Sequence, residues 1–139
     1  MISGSDALPA LDWLCTAPMD NAVGISKYSL MLNEAGGIEA DVTVTRVGPE
    51  EFYIVTGAAF TQYLVASLKR RLKDRFYNAS IKDVTQAFAI LSIQGPQSQA
   101  YLGQICSSEA HSADLKALQY GQSAQIQLLA SSGQLCSVR

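Results

Sequence analysis

At 139 residues the chain is one domain or part of one, long enough to bury a substantial core. Its residues are 48% hydrophobic and 16% charged, the proportions of a soluble globular protein. The net charge of −2 gives no electrostatic reason to expect nucleic acid or an anionic membrane as partner, and no apolar run approaches the roughly 20 residues that span a bilayer.

The opening, "MISGSDALPALDWL", has neither the basic flank and apolar core of a secretory signal nor the Arg- and Ser-rich character of a transit peptide. Within it Ser5 and Asp6 are candidate caps, and Leu8, Leu11 and Leu14 recur every third residue. That pattern predicts a short amphipathic helix, with Pro9 tolerable in its first turn. A loop, "APMDNAVG", follows. "ISKYSLMLN" then reads as a strand ending at the turn "EAGG", "ADVTVTRV" as a second strand, and "FYIVTG" as a third beyond the turn "GPEE". Three strands with two short connections predict an antiparallel meander.

The strongest helical pattern lies in "AAFTQYLVASLKRRLKDRF", where Phe60, Leu64, Leu68 and Leu72 recur every four residues with Tyr63 beside them. "AFAILSIQG" is a continuous apolar run, read as a strand covered on both faces. "PQSQAYLGQI" begins a further helix with Pro96 near its first turn, and "SADLKAL" is a short one. "SAQIQLLA" and "QLCSVR" read as strands about an "SSG" turn. Helices and strands are mixed rather than strictly alternating, so the fold class is α+β, an antiparallel meander with packed helices. No repeat or linker divides residues 1–139.

Few residues offer chemistry. Cys15, Cys106 and Cys136 are odd in number and lack a C-x-x-C pair, which argues against a disulfide framework and a zinc site; no metal is expected. The single histidine, His111, falls in the polar stretch "SSEAHSAD" and reads as loop. Lys69, Arg70, Arg71, Lys73 and Arg75 cluster at the end of the long helix, where positive charge complements the macrodipole and needs no ligand to explain it. Neither a dinucleotide nor a P-loop glycine pattern is present. Asp41 remains. In a strand, residues two apart share a face, so Asp41, Thr43 and Thr45 lie together, with Val42 and Val44 opposite. If Tyr53 and Val55 flank them from the next strand, the carboxylate sits beside an aromatic ring. Spacing alone leaves Asp41 open between a surface residue after a Gly-Gly turn and a working carboxylate.

The stretch "GISKYSLMLNEAGGIEADVTVTRV…EFYIVTG" resembles the folate-binding domain shared by the glycine cleavage T-protein (aminomethyltransferase) and mitochondrial sarcosine and dimethylglycine dehydrogenases. Tyr28, Met31-Leu32-Asn33, Gly36-Gly37-Ile38 and Asp41 match the family pattern, "ISGSDALPALDWLCT" is similar to its opening helix, and "AFAILSIQGPQSQAYL" to its central strand, Gln-Gly-Pro turn and following helix. The resemblance implies tetrahydrofolate as cofactor and Asp41 as the catalytic carboxylate lying against its pterin-side nitrogens, assisting formation of the methylene bridge. It places Tyr28, Thr43, Tyr53 and Val55 along the folate pocket. Ala40, where T-proteins carry an acid, and Gly57, where they carry Asn, favour the sarcosine dehydrogenase branch.

In that branch a separate flavin domain, absent from this chain, oxidises an N-methyl amine with FAD. The present domain traps the one-carbon product on folate in the mitochondrial matrix; without that branch the compartment is cytoplasmic. A glycine cleavage aminomethyltransferase and a non-catalytic regulatory protein of the pyruvate dehydrogenase phosphatase type share the scaffold, so activity of this chain by itself stays open. The resemblance also leads one to expect residues 1–139 to be a partial tetrahydrofolate-binding domain, lacking its first strand and its C-terminal closing motif.

Overall fold

In the computed structural model the described residues are 1–73, 75, 76, 78–129, 136 and 137. They form two compact units, Met1–Phe88 and Ala89–Arg139. The first unit is a five-stranded antiparallel sheet under two helices. Its strands are β1 (Ile2–Ser3), β2 (Ser26–Leu32), β3 (Ile38–Gly48), β4 (Glu51–Val55) and β5 (Ser80–Ile81), in the spatial order β2-β3-β4-β1-β5. The predicted meander is β2-β3-β4, and the mixed antiparallel sheet and helices confirm the α+β class.

Helices α1 (Ala7–Leu14) and α2 (Thr61–Lys73) cover one face of the sheet. Ala7, Ala10, Leu11 and Leu14 of α1 and Leu64, Leu68 and Leu72 of α2 join Ile2, Met31, Val42, Val44 and Phe52 in a single core. Each large side chain buried there is worth roughly 1.5–3 kcal/mol relative to exposure. The alternation of β3 follows: Val42 and Val44 enter this core, so Asp41, Thr43 and Thr45 take the other face.

Two details of the predicted helices differ. The α2 stripe stops at Leu64, because Phe60 belongs to a 3-10 turn (Ala58–Phe60) that precedes the helix and breaks its angular period; Phe60 and Tyr63 are both exposed. Asp6 sits at the N-cap of α1, where its backbone carbonyl accepts the Ala10 N–H at 2.9 Å but its side chain makes no cap bond. Its carboxylate instead accepts a hydrogen bond from the Asn78 backbone N–H at 3.0 Å, joining the helix entry to the segment before β5.

The hairpin between β2 and β3 is closed by Asn33. Its side-chain oxygen accepts the N–H groups of Ala35 (3.0 Å) and Gly37 (2.8 Å), while Gly36 supplies the positive φ of +80° that the turn requires. Pairing is regular from Ser26↔Thr45 to Met31↔Ala40 and resumes at Leu32↔Ile38. Glu39 is therefore an extra residue on β3, a β-bulge.

The second unit contains α3 (Ser98–Ile105), α4 (Glu109–Ala117), and the two-residue strands β6 (Ser123–Ala124) and β7 (Cys136–Ser137), which pair. Cys106, Leu115 and Ile126 form its small core. The "SSG" turn read between these strands lies outside the described residues. His111 is within α4 rather than a loop: Glu109 in the first turn and Lys116 in the last favour a helix through its dipole, which the polar composition concealed.

The largest departure concerns "AFAILSIQG". It is not a covered strand. Residues 88–94 make no backbone hydrogen bond to a described residue, and Ile90 and Leu91 are 75% and 87% exposed. An apolar run becomes a buried strand only when other strands lie along its edges, and no described strand does so here.

Candidate functional site

The exposed face of the meander gathers the side chains singled out above. Cross-strand register sets Tyr28 opposite Thr43 and Thr43 opposite Val55, forming one row across three strands. Ser26, Thr45 and Tyr53 form the next row, and Leu30 and Asp41 the one on the other side. Directly opposed residues of antiparallel strands project to the same side, so Tyr28, Asp41, Thr43, Tyr53 and Val55 all lie on one face.

Within this face the threonines form a floor. Thr43 and Thr45 are buried beneath their larger neighbours, and Thr45 Oγ1 lies 2.8 Å from Ser26 Oγ in a buried hydroxyl pair. Tyr28 stands out from it, 60% exposed. At the Tyr53 end the ring meets that of Phe88 edge-on, with centroids 5.4 Å apart. This is a favourable aromatic geometry worth about 0.5–1.5 kcal/mol.

Asp41 occupies the opposite end. Its row neighbour is Leu30, and Tyr28 and Val55 lie diagonally; Tyr53 is two rows away. The ring beside the carboxylate is thus that of Tyr28, diagonal neighbours being about 7–8 Å apart. The Asp41 main chain is held by the Thr56 hydroxyl, which donates to its carbonyl oxygen at 2.9 Å. Its carboxylate is exposed and makes no hydrogen bond or ion pair with a described residue.

Phe88 and Thr56 are the participants that sequence reasoning missed. Phe88 was absorbed into the apolar run, and only its approach to Tyr53 reveals it. Thr56 lies in "VTGA" and carries no motif of its own. The basic cluster also divides: Arg75 stacks over Trp13 at 5.0 Å, while Arg71 turns toward the sheet and bonds Glu39 at 3.0 Å. Arg71 is thereby an exception to the solvated helix end expected from the sequence. Among the described residues no group of three or more His, Cys, Asp or Glu is placed to hold a metal ion, and no helix is long and apolar enough to cross a membrane.

Chemically, the face offers a free carboxylate at one end and an aromatic edge at the other, joined by a floor of methyls and hydroxyls. Such a surface offers aromatic and apolar contact from the rings and Val55, and a hydrogen-bond acceptor in the carboxylate.

Residues 1–137 match the family described as the GCVT N-terminal domain. The mitochondrial sarcosine dehydrogenase of Mus musculus is 30% identical over 119 residues, covering 76% of this chain and 13% of that protein. The 4-methylaminobutanoate oxidase (formaldehyde-forming) of Paenarthrobacter nicotinovorans is 36% identical over 104 residues, covering 75% of the chain and 12% of the oxidase. Among solved structures, the glycine cleavage system aminomethyltransferase T from Bartonella henselae superposes with a TM-score of 0.67 at 24% identity, over 91% of this chain and 32% of that one. The chain thus spans about an eighth of the two oxidising relatives and about a third of the aminomethyltransferase.

Proposed function

The chain belongs to the GCVT N-terminal domain family, and from that premise we propose that its exposed sheet face is a tetrahydrofolate site serving one-carbon transfer, with Asp41 its working carboxylate. The observation carrying this reading is the free carboxylate of Asp41 on the same face as Tyr28, Thr43, Tyr53 and Val55. Tetrahydrofolate supplies the nucleophilic amine that takes up the one-carbon unit. Tyr28, Val55 and the Tyr53–Phe88 pair contact the flat ring system, and the buried Thr43 and Thr45 set its depth. Asp41 accepts an N–H from it, orients the amine and offsets the positive charge that develops there. A preplaced anion needs no reorganisation as that charge appears.

The names of the relatives support N-methyl amino acids as the substrate class. Sarcosine and 4-methylaminobutanoate are both N-methyl amino acids, and the second relative is formaldehyde-forming by name. A sarcosine or dimethylglycine dehydrogenase-like protein would oxidise the amine on a flavin domain elsewhere in its chain. The present domain would then capture the one-carbon product in the mitochondrion, where the mammalian dehydrogenases reside by name. A second reading on the same site is a glycine cleavage aminomethyltransferase, favoured by the fold shared with the Bartonella protein.

Calorimetric titration with tetrahydrofolate tests the shared claim. A hydrogen bond to a charged group is worth about 1.5–3 kcal/mol, so Asp41→Asn is expected to weaken binding by roughly 10- to 100-fold. A folded wild-type chain that binds no tetrahydrofolate overturns the reading, as does an unchanged affinity in the variant.

A further inference from the structure

The bulge at Glu39 decides which carboxylates reach the candidate site. In an unbulged strand, Glu39, Asp41 and Thr43 would all project to one face. Two acids would then stand two residues apart, about 7 Å, at the same end of the ligand surface. The structure shows another arrangement. Ala40 is buried on the helix side, Asp41 is exposed on the ligand side, and the side chain of Glu39 turns toward α2 to meet Arg71.

Arg71 is built to hold that arrangement. One terminal nitrogen of its guanidinium bonds a Glu39 carboxylate oxygen at 3.0 Å; the other donates to the Leu32 carbonyl at 3.0 Å. Leu32 is the strand residue at which pairing resumes beyond the bulge. The side chains of Arg71 and Glu39 are 19% and 16% exposed, so the contact is largely withdrawn from solvent and poorly screened. One planar cation therefore spans both strands of the hairpin at the bulge. A lysine, with a single point charge, cannot reproduce that fork.

We propose that Arg71 is a positioning residue: by clamping Glu39 and the Leu32 carbonyl on the helix side, it stabilises the bulge and keeps a second carboxylate off the face that carries Asp41. Removing the guanidinium leaves a half-buried, unpaired Glu39. The carboxylate escapes that penalty if the bulge relaxes into regular pairing, Leu32↔Glu39, which swings it to the exposed ligand face beside Asp41. The functional meaning rests on the tetrahydrofolate reading, because there Asp41 must stay ionised to do its work; the structural claim does not.

The test follows Asp41 itself. The other titratable groups on the three strands of that face are the Tyr28 and Tyr53 phenols and, at the far end of β4, Glu51. The probe variant is Arg71→Met, which keeps the aliphatic stem and removes the fork. Two things are measured by NMR on the folded protein: the cross-strand contacts of Leu32 and the carboxyl titration of Asp41. The expected result is replacement of the Leu32–Ile38 contact by Leu32–Glu39, together with a rise in the Asp41 midpoint from the nearby like charge. Arg71→Met/Glu39→Gln, lacking the second carboxylate, is expected to return the midpoint to that of wild type. If Arg71→Met does not fold, Arg71→Gln carries the same expectations, since it can still donate to a carbonyl but cannot pair a charge.

Retention of the Leu32–Ile38 contact in the folded variant overturns the proposal, and so does an Asp41 titration that superimposes on the wild-type curve. Neither measurement uses folate. Bulge relaxation in a protein whose wild type fails to bind tetrahydrofolate would sink the proposed function and leave this inference standing.

Discussion

Gly4 should be among the least replaceable residues in the first unit, and Gly4→Ala measures why. Its φ is +119°, in territory that L side chains rarely adopt. A Cβ there would also run into the backbone carbonyl of Asn78. Neither obstacle can yield easily. The Gly4 N–H bonds the Glu50 carbonyl at 3.0 Å, and its own carbonyl takes the Ala7 N–H at 2.9 Å, so Gly4 couples β1, the β3–β4 turn and the start of α1. On the far side, Asn78 is tethered to Asp6. The backbone term costs about 1–3 kcal/mol and the steric term about 1–3 kcal/mol, for a total of roughly 2–6 kcal/mol.

A loss of that size lowers Tm by roughly 10–45 °C in a unit this small. Thermal and urea unfolding followed by circular dichroism would read it. Gly36→Ala is the internal control. Gly36 also has a positive φ, +80°, but an added Cβ would meet nothing within 4 Å, so only the backbone term of about 1 kcal/mol applies. If Gly4→Ala were no more destabilising than Gly36→Ala, the close approach to Asn78 would not be a constraint and the reasoning would fail.

Other expectations concern a thiol and a strand. Burial, with a smaller push from Asp12 and against a hydrogen bond with Ser29, raises the Cys15 thiol from about 9 to about 11. Because the folded state holds this proton more tightly, its contribution to stability is intact below pH 9 and is lost as pH rises from about 9 to about 11. Urea unfolding at pH 8 and pH 11 should show a larger loss in wild type than in Cys15→Ala; equal losses would contradict the assignment. Residues 84–108 contain no Asp, Glu, Lys or Arg, and within them Leu91 is 87% exposed in a segment that pairs with no described strand. Such segments pair with copies of themselves, so sedimentation velocity should show concentration-dependent association that Leu91→Lys suppresses. Identical distributions for the two proteins would argue against strand pairing there.

The placement of the candidate site was legible from strand alternation, but its composition was not. "ADVTVTR" announces which side chains share a face, and Val42 and Val44 leave little choice about which face is core. Register between strands is another matter: it depends on turn and bulge geometry, which is why the ring beside Asp41 is that of Tyr28 and Tyr53 lies farther along. Phe88 meets Tyr53 from far along the chain, a contact that no local pattern records. Glu39 is the instructive case. Two-residue periodicity assigns it to the same face as Asp41, and one extra residue in the strand, held by an arginine from a helix distant in sequence, reverses that assignment.

What the sequence by itself determined is whatever depends on neighbours within a few residues. That includes the meander, the apolar stripes of α1 and α2, the Gly-Gly turn of the hairpin, and the motif order that marks the family. Tertiary structure decided what depends on partners far along the chain. The Asp6 side chain makes no cap bond to α1 and instead takes the Asn78 N–H. The run "AILSI" is no buried strand because no described strand flanks it. Arg71 is no solvated cation because the hairpin brings it a carboxylate and a carbonyl together. Propensity and periodicity are properties of a segment, but hydrogen bonds, ion pairs and burial are settled between segments, and their partners appear only once the chain has folded.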